Sequence, residues 1–192
     1  MALKPYSEDV SGYILAGGKS RRMGFDKRKI IFDGVTLLDR ANQLLIDVLN
    51  KQPTIIGDNL DWLDKHDHRI LNDAKPNCGP LGGLVTALRD CSTRWALVIA
   101  CDFPLLNSLI FRELFKDVNE KFDVVALSSS KGIEPLIALY NKSTRGFWEN
   151  RLICGEYKLI SGINQLNYLA SKITQTSVLR VNINTVNDLP KG

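Results

Sequence analysis

The densest chemistry in this chain lies at residues 15–27, which read Leu15-Ala16-Gly17-Gly18-Lys19-Ser20-Arg21-Arg22-Met23-Gly24-Phe25-Asp26-Lys27. Paired glycines let a backbone approach a phosphate and aim N–H groups at it, while Arg and Lys side chains add positive charge and forked donors. Few ligands other than a nucleoside triphosphate need that combination. The spacing fits neither G-x-x-x-x-G-K-[ST] nor G-x-G-x-x-G, so it is not a P-loop or a dinucleotide fingerprint. The plainer alternative is a glycine turn carrying solvated basic residues.

Two acidic residues stand where such a clamp would use them. Asp102 follows the apolar run at 95–101 and precedes Phe103-Pro104, so its carboxylate is expected at the ligand edge of a sheet, able to hold Mg²⁺ against phosphate oxygens. A turn-forming or helix-capping Asp is the competing reading. Asp73 is followed by Gly79-Pro80-Leu81-Gly82-Gly83, a helix start whose glycines mark close approach by a ligand or by another backbone. Glu134, Asn182 and Asn184 open or close strands and are candidates to face an acceptor substrate, although Asx residues at strand ends often serve turns. His66 and His68 sit in a run of alternating charge and are expected to be exposed, and no Ser-His-Asp or Cys-His pair is apparent.

The elements that must hold these residues follow from periodicity. Short apolar runs at 11–16, 54–56, 69–71, 95–101, 123–128, 135–140 and 178–182 read as strands. Helical spacing appears at 36–49, 80–91, 108–119, 143–151 and 162–172, with Thr36 and Ser108 as caps and Pro80 in a first turn. Alternation of this kind predicts an α/β fold in which a mostly parallel sheet is covered on both faces, with ligands at the carboxyl ends of the strands.

A chain of 192 residues with 44% hydrophobic residues is expected to form a single domain over 1–192. The formal net charge of +4, interleaved with acidic residues beyond the first loop, argues against a nucleic-acid partner and suits a small polyanion. Without a targeting pattern or a long apolar run, a cytoplasmic protein with no membrane partner is expected. Cys78, Cys91, Cys101 and Cys154 lack paired spacing and are expected to be reduced and structural.

Five motifs then occur in one order: L-A-G-G-x-S-x-R-M-G-x-D-K at 15–27, Asp73 with G-P-L-x-G at 79–83, C-D-x-P at 101–104, E-P-L-x-A-L-Y at 134–140 and N-x-N-T at 182–185. Together they resemble the molybdenum cofactor guanylyltransferase family over about residues 12–189. The resemblance implies a Rossmann-like three-layer sandwich of the nucleotide-diphospho-sugar transferase type. It implies transfer of GMP from GTP to the phosphate of Mo-molybdopterin, with release of pyrophosphate and Mg²⁺ as cofactor. Residues of about 12–105 would bind the nucleotide and about 106–190 the acceptor. Leu15, Ala16, Gly17 and Gly18 would line the GTP site with Gly79, and Asp73 would help to hold the nucleoside. Lys27 and Arg22 would neutralise phosphate charge, and Asp102 would bind GTP through the metal. Molybdenum-cofactor biosynthesis proteins or molybdoenzyme chaperones would be transient partners.

The chain departs from the pattern at Gly57, where the family often has Asn, and at Val186, where it usually has Pro. Cytidylyl transfer to the same cofactor, or nucleotidyl transfer to a sugar phosphate, keeps the chemistry and changes the substrate. The Gly17-Gly18 pair favours GTP, since cytidylyl relatives tend to show Ala-Ala-Gly. A noncatalytic nucleotide sensor is the alternative from another class.

Overall fold

The computed structural model describes residues 8–17, 26–64, 66–130 and 132–172. Within them the chain runs β1 (Val10–Leu15), a 3₁₀ turn (Lys27–Lys29), β2 (Ile31–Phe32), β3 (Val35–Thr36), α1 (Leu37–Leu49), β4 (Thr54–Ile56), β5 (Arg69–Leu71) and α2 (Pro80–Asp90). It continues with β6 (Trp95–Ala100), α3 (Ser108–Lys116), β7 (Val124–Ser129), β8 (Gly132–Asn141), a second 3₁₀ turn (Lys142–Thr144), α4 (Arg145–Ile153), α5 (Leu159–Ile163) and β9 (Tyr168–Lys172).

Among the described residues, the main sheet has seven strands in the order β5-β4-β1-β6-β8-β7-β9. Only β8 among them runs against its neighbours, pairing antiparallel with β6 and with β7, while the other pairings are parallel. Strand residues alternate between two cores, as a period of two demands. Ile14, Leu97, Ile99 and Leu139 pack with Leu45 of α1 and Phe111 of α3 on one face. Tyr13, Val98, Ala126 and Tyr140 pack with Leu84 of α2 and Trp148 of α4 on the other. The result is the expected three-layer α/β sandwich.

Several element expectations change. The stretch at 162–172 was expected to be helical, but α5 ends at Ile163 and 168–172 forms β9, parallel to β7. The open edge of β7 recruits it: the Asp123 N–H donates to the Asn167 carbonyl at 2.7 Å, and the Asn167 N–H donates to the Asp123 carboxylate at 3.0 Å. Tertiary pairing thus outweighs a weak helical spacing. Asn107, not Ser108, caps α3, its side chain accepting from the Leu109 N–H at 3.1 Å, and α3 ends at Lys116 rather than near 119. The β2–β3 hairpin was not foreseen; Asp33 and Gly34 turn it with φ of 49° and 78°. The strand expected at 178–182 lies outside the described residues.

Between Ala126 and Leu127 the β7–β8 register slips, so that Ala126 faces Ala138 but Leu127 faces Glu134. The extra residues of β8 bulge, and the buried Tyr140 hydroxyl donates to the Pro135 carbonyl at 2.7 Å to hold the bulge. A bulge re-aims side chains, and here it brings Leu136 to the ligand edge of the sheet.

Candidate active site

The chain leaves β1 for β4 on one side and later returns to β6 on the other, so the strand order switches at β1. Open α/β sheets bind ligands at such a switch, outside the carboxyl ends of the strands. A cleft of about 1240 Å³ lies there. Leu15, Ala16 and Gly17 line it from the end of β1, Lys27 from the following turn, Asp73 from beyond β5, Gly79 from the start of α2 and Asp102 from beyond β6.

At its centre the Lys27 ammonium donates to Asp102 Oδ2 at 2.6 Å. Asp102 is only 6% exposed, and its Oδ1 is buried without a hydrogen-bond partner among the described residues. An unpartnered buried carboxylate oxygen is costly, and a cation would complete it. No group of three or more His, Cys, Asp or Glu side chains among the described residues forms a metal cage. The bare oxygen of Asp102 fits Mg²⁺, which commonly takes one or two carboxylates and completes its shell with phosphate oxygens and water. The neighbouring Cys101 is buried, and burial, reinforced by the Asp102 charge, pushes its thiol up to about 12, away from the thiolate form that a nucleophile needs.

Asp73 is half-buried. Burial raises its carboxyl above the ordinary range; the Lys75 N–H, donating at 3.1 Å, opposes this, and the nearby Asp58 charge adds to it. Its loop is tied to α2, where Thr86 Oγ1 accepts from the Ala74 N–H at 2.8 Å and donates to the Gly82 carbonyl at 3.0 Å. A Cβ on Gly82 would lie 2.3 Å from Asp73 Oδ1 and 2.9 Å from the Lys75 carbonyl oxygen. This glycine therefore serves close packing of the Asp73 loop, while Gly79, at φ 63°, lines the cleft itself.

Glu134 stands at the start of β8, on the edge that carries Asp102. Burial raises its carboxyl, its hydrogen bond from the Leu136 N–H counteracts, and the Asp102 charge raises it further. Gly18, Arg22, Asn182 and Asn184 lie outside the described residues. His66 is exposed as expected, but His68 is half-buried.

Three contributors escaped the sequence reading. Arg28 makes a forked pair with Asp26, both bonds 2.7 Å, and donates to the carbonyls of Ala16, Asp58 and Asn59 at 3.1, 2.8 and 3.2 Å. Burial opposes it, but these Arg28 bonds hold the Asp26 carboxyl below the usual range. Asp58 lines the cleft beyond β4. On the far wall, Tyr157 and Lys158 reach the cleft from a loop held by the buried Arg151, whose Nη1 pairs with Glu156 at 2.6 Å and whose Nη2 donates to the Glu156 carbonyl at 3.3 Å. The signals for these were the charge run Asp26-Lys27-Arg28-Lys29 and, for Asp58, its place directly after Gly57, where the chain departs from the family pattern.

The MobA-like NTP transferase domain matches residues 12–165 of the chain. The chain belongs to the MobA-like NTP transferase family. Relatives in this family include a "Probable molybdenum cofactor guanylyltransferase" of Methanothermobacter thermautotrophicus, 31% identical over 195 residues, which span 95% of this chain and 98% of the relative. One with the same name from Chloroflexus aggregans is 30% identical, covering 94% of this chain and 91% of the relative. Among solved structures, molybdopterin-guanine dinucleotide biosynthesis protein A from Archaeoglobus fulgidus has a TM-score of 0.76 at 22% identity, covering 93% of this chain and 94% of the other. The 4-diphosphocytidyl-2C-methyl-D-erythritol synthase of Anaerococcus prevotii has a TM-score of 0.67 at 13% identity, covering 93% and 92%. The structural likenesses show the fold, a three-layer α/β sandwich shared with these proteins. Membership of the MobA-like family makes the chain a nucleotidyltransferase enzyme.

Proposed function

We propose that the cleft transfers the GMP moiety of GTP to the phosphate of Mo-molybdopterin, forming molybdopterin guanine dinucleotide and pyrophosphate. The observation that carries this reading is the Lys27–Asp102 pair at the switch point, with one carboxylate oxygen bonded and the other bare. The name that relatives matched over most of their length carry, "Probable molybdenum cofactor guanylyltransferase", supports this choice of substrates.

An acceptor phosphate oxygen forms a bond to the α-phosphorus while the bond from that phosphorus to the α–β bridging oxygen breaks, and pyrophosphate leaves in line. No enzyme nucleophile takes part. Lys27 shifts from Asp102 toward the triphosphate and neutralises charge there, helped by Arg22, while the backbone at Leu15, Ala16, Gly17 and Gly18 holds the nucleotide. Asp102 holds Mg²⁺, whose chemistry when bound is to screen the phosphate oxygens and polarise the α-phosphorus. Asp73 and Gly79 flank the nucleoside. The acceptor lies on the β8 side, toward Glu134, with Asn182 and Asn184 as further acceptor candidates by sequence alone; residues of about 12–105 serve the nucleotide and about 106–190 the acceptor within a single domain. Hand-over of the product to a biosynthetic partner or molybdoenzyme chaperone, in the cytoplasm, belongs to the same reading.

The test is to incubate the protein with Mg²⁺, intact Mo-molybdopterin and each of the four nucleoside triphosphates, and to measure pyrophosphate. Release with GTP alone is expected. Release with CTP instead would reassign the base, and tight GTP binding without release would make the protein a sensor.

A further inference from the structure

The cleft is polar in an uneven way. Its β1–β6 side carries the Lys27–Asp102 pair, whereas its β4–β5 side presents two carboxylates, Asp58 and Asp73. Arg28, whose guanidinium reaches the Asp58 backbone, is committed to the Asp26 carboxylate and to three backbone carbonyls, including that of Asp58 itself. The Asp58 carboxylate is exposed, with no hydrogen bond or ion pair among the described residues. Two like charges on one wall repel, and the Asp58 charge is one reason why the Asp73 carboxyl is raised.

The neighbouring position, Gly57, cannot supply a side-chain contact. A Cβ on Gly57 would lie 2.9 Å from the Ala16 carbonyl carbon and 3.0 Å from the Gly17 nitrogen. The Gly57 N–H is committed to the Leu71 carbonyl at 3.0 Å, and Ala16 N–H to the Ile56 carbonyl at 2.8 Å. The backbone of this loop is thus fixed from β1, from β5 and from Arg28, and the first side chain it offers to the cleft is Asp58.

We propose that Asp58 is a specificity-determining residue that accepts a hydrogen bond from the exocyclic 2-amino group of guanine, beside Asp73. This inference rests on the guanylyl reading of the cleft. With the triphosphate over Gly17 and Lys27, the base extends toward β4 and β5. Guanine places two adjacent donors, N1–H and the 2-amino group, on one edge, and two carboxylates are acceptors only. Cytosine offers one donor group flanked by the acceptor N3, and adenine one flanked by the acceptor N1, so either would turn a lone pair toward a carboxylate. The wall that is repulsive when empty becomes complementary with guanine, which selects against the other bases as well as for this one.

The test is equilibrium binding of GTP, ITP, ATP and CTP, each with Mg²⁺ and without acceptor, to the full chain and to Asp58→Ala and Asp58→Asn. ITP differs from GTP only in lacking the 2-amino group. The unsubstituted protein is expected to prefer GTP over ITP by about 10- to 100-fold, the range for a hydrogen bond to a charged group. Asp58→Ala brings GTP down to the affinity of ITP and leaves ITP within about twofold, while Asp58→Asn, which keeps an acceptor oxygen without the charge, falls between. A GTP preference that survives Asp58→Ala overturns the assignment and leaves the guanylyl reading standing. Equal loss of all four nucleotides, with an unchanged circular dichroism spectrum, also overturns it, since the role would then be merely structural. No preference for GTP over ITP in the unsubstituted protein overturns it too. Tighter binding of CTP than of GTP removes the guanylyl reading itself and this inference with it.

Discussion

At Asp102 one oxygen is engaged by Lys27 and the other is buried and bare, and the proposed metal role would use that bare oxygen. Asp102→Asn keeps the shape and removes the charge that would hold Mg²⁺. It is expected to lower kcat by roughly 10²- to 10³-fold, the range for losing one charge-stabilising group, with a Tm near that of the parent. Steady-state kinetics and a thermal melt check both halves of that statement, and an unchanged kcat would remove Asp102 from the metal site. That Asp73 and Asp102 line one cleft was legible in the sequence because each follows directly on the end of a parallel strand, whereas Lys27 was singled out by the basic loop after β1 and not by its distance from the strand. Arg28 was not legible, because its partners come from the ends of β1 and β4, and their adjacency exists only after folding. The same holds for Arg151 and the loop bearing Tyr157 and Lys158.

At the scale of elements, the contact between α2 and the Asp73 loop sets the cleft wall. Gly82→Ala would force its Cβ into the Asp73 carboxylate and the Lys75 carbonyl, at an expected cost of about 1–3 kcal/mol in stability. A denaturant titration should read that loss, together with a raised KM for GTP as Asp73 is displaced. At the other end of α2, Arg69 of β5 makes two 2.7 Å bonds to Asp90, which also accepts from the Tyr13 hydroxyl of β1 at 3.0 Å. The Arg69 bond first, against burial, and then that of Tyr13 hold the Asp90 carboxyl below its ordinary 3.8. A depressed folded-state value adds stability that is present above 3.8 and is lost as pH falls through the folded value. Asp90→Asn should therefore cost roughly 1 kcal/mol at pH 7, a modest figure because Arg69 is 56% exposed, and the difference should start to narrow in melts run below pH 3.8 and close once the pH is under the folded value. Elements read from strong periodicity, such as α1 and β6, stand close to where the sequence puts them. The Asp33-Gly34 pair between Ile31-Phe32 and Val35-Thr36 is a hairpin signal that went unused, whereas β9 had no local signal strong enough to overrule a helical spacing.

Across the whole molecule, the order of the strands becomes an order of tasks along one edge. Asp73 and Asp58 stand beyond β5 and β4, Gly17 and Lys27 beyond β1, Asp102 beyond β6 and Glu134 at the start of the reversed β8. That sequence of groups matches base, phosphates, metal and acceptor in the proposed reaction, and the reversal of β8 with its bulge is what lets Glu134 join the edge at all. Because one ligand would touch most of these loops, binding is expected to stabilise the fold as a unit. GTP at 100 times its Kd should add about 2.7 kcal/mol, read as a rise in Tm that requires Mg²⁺ and shrinks in Asp102→Asn. An equal rise without the metal would contradict the role given to Asp102. The most direct measurement of the central claim follows a label on the α-phosphate of GTP in a single turnover with intact Mo-molybdopterin and Mg²⁺. The label should appear in molybdopterin guanine dinucleotide in step with release of unlabelled pyrophosphate, and chelation of the metal should stop both. Label that stays in GTP, or that leaves as free GMP while the acceptor remains unmodified, would contradict guanylyl transfer by this cleft.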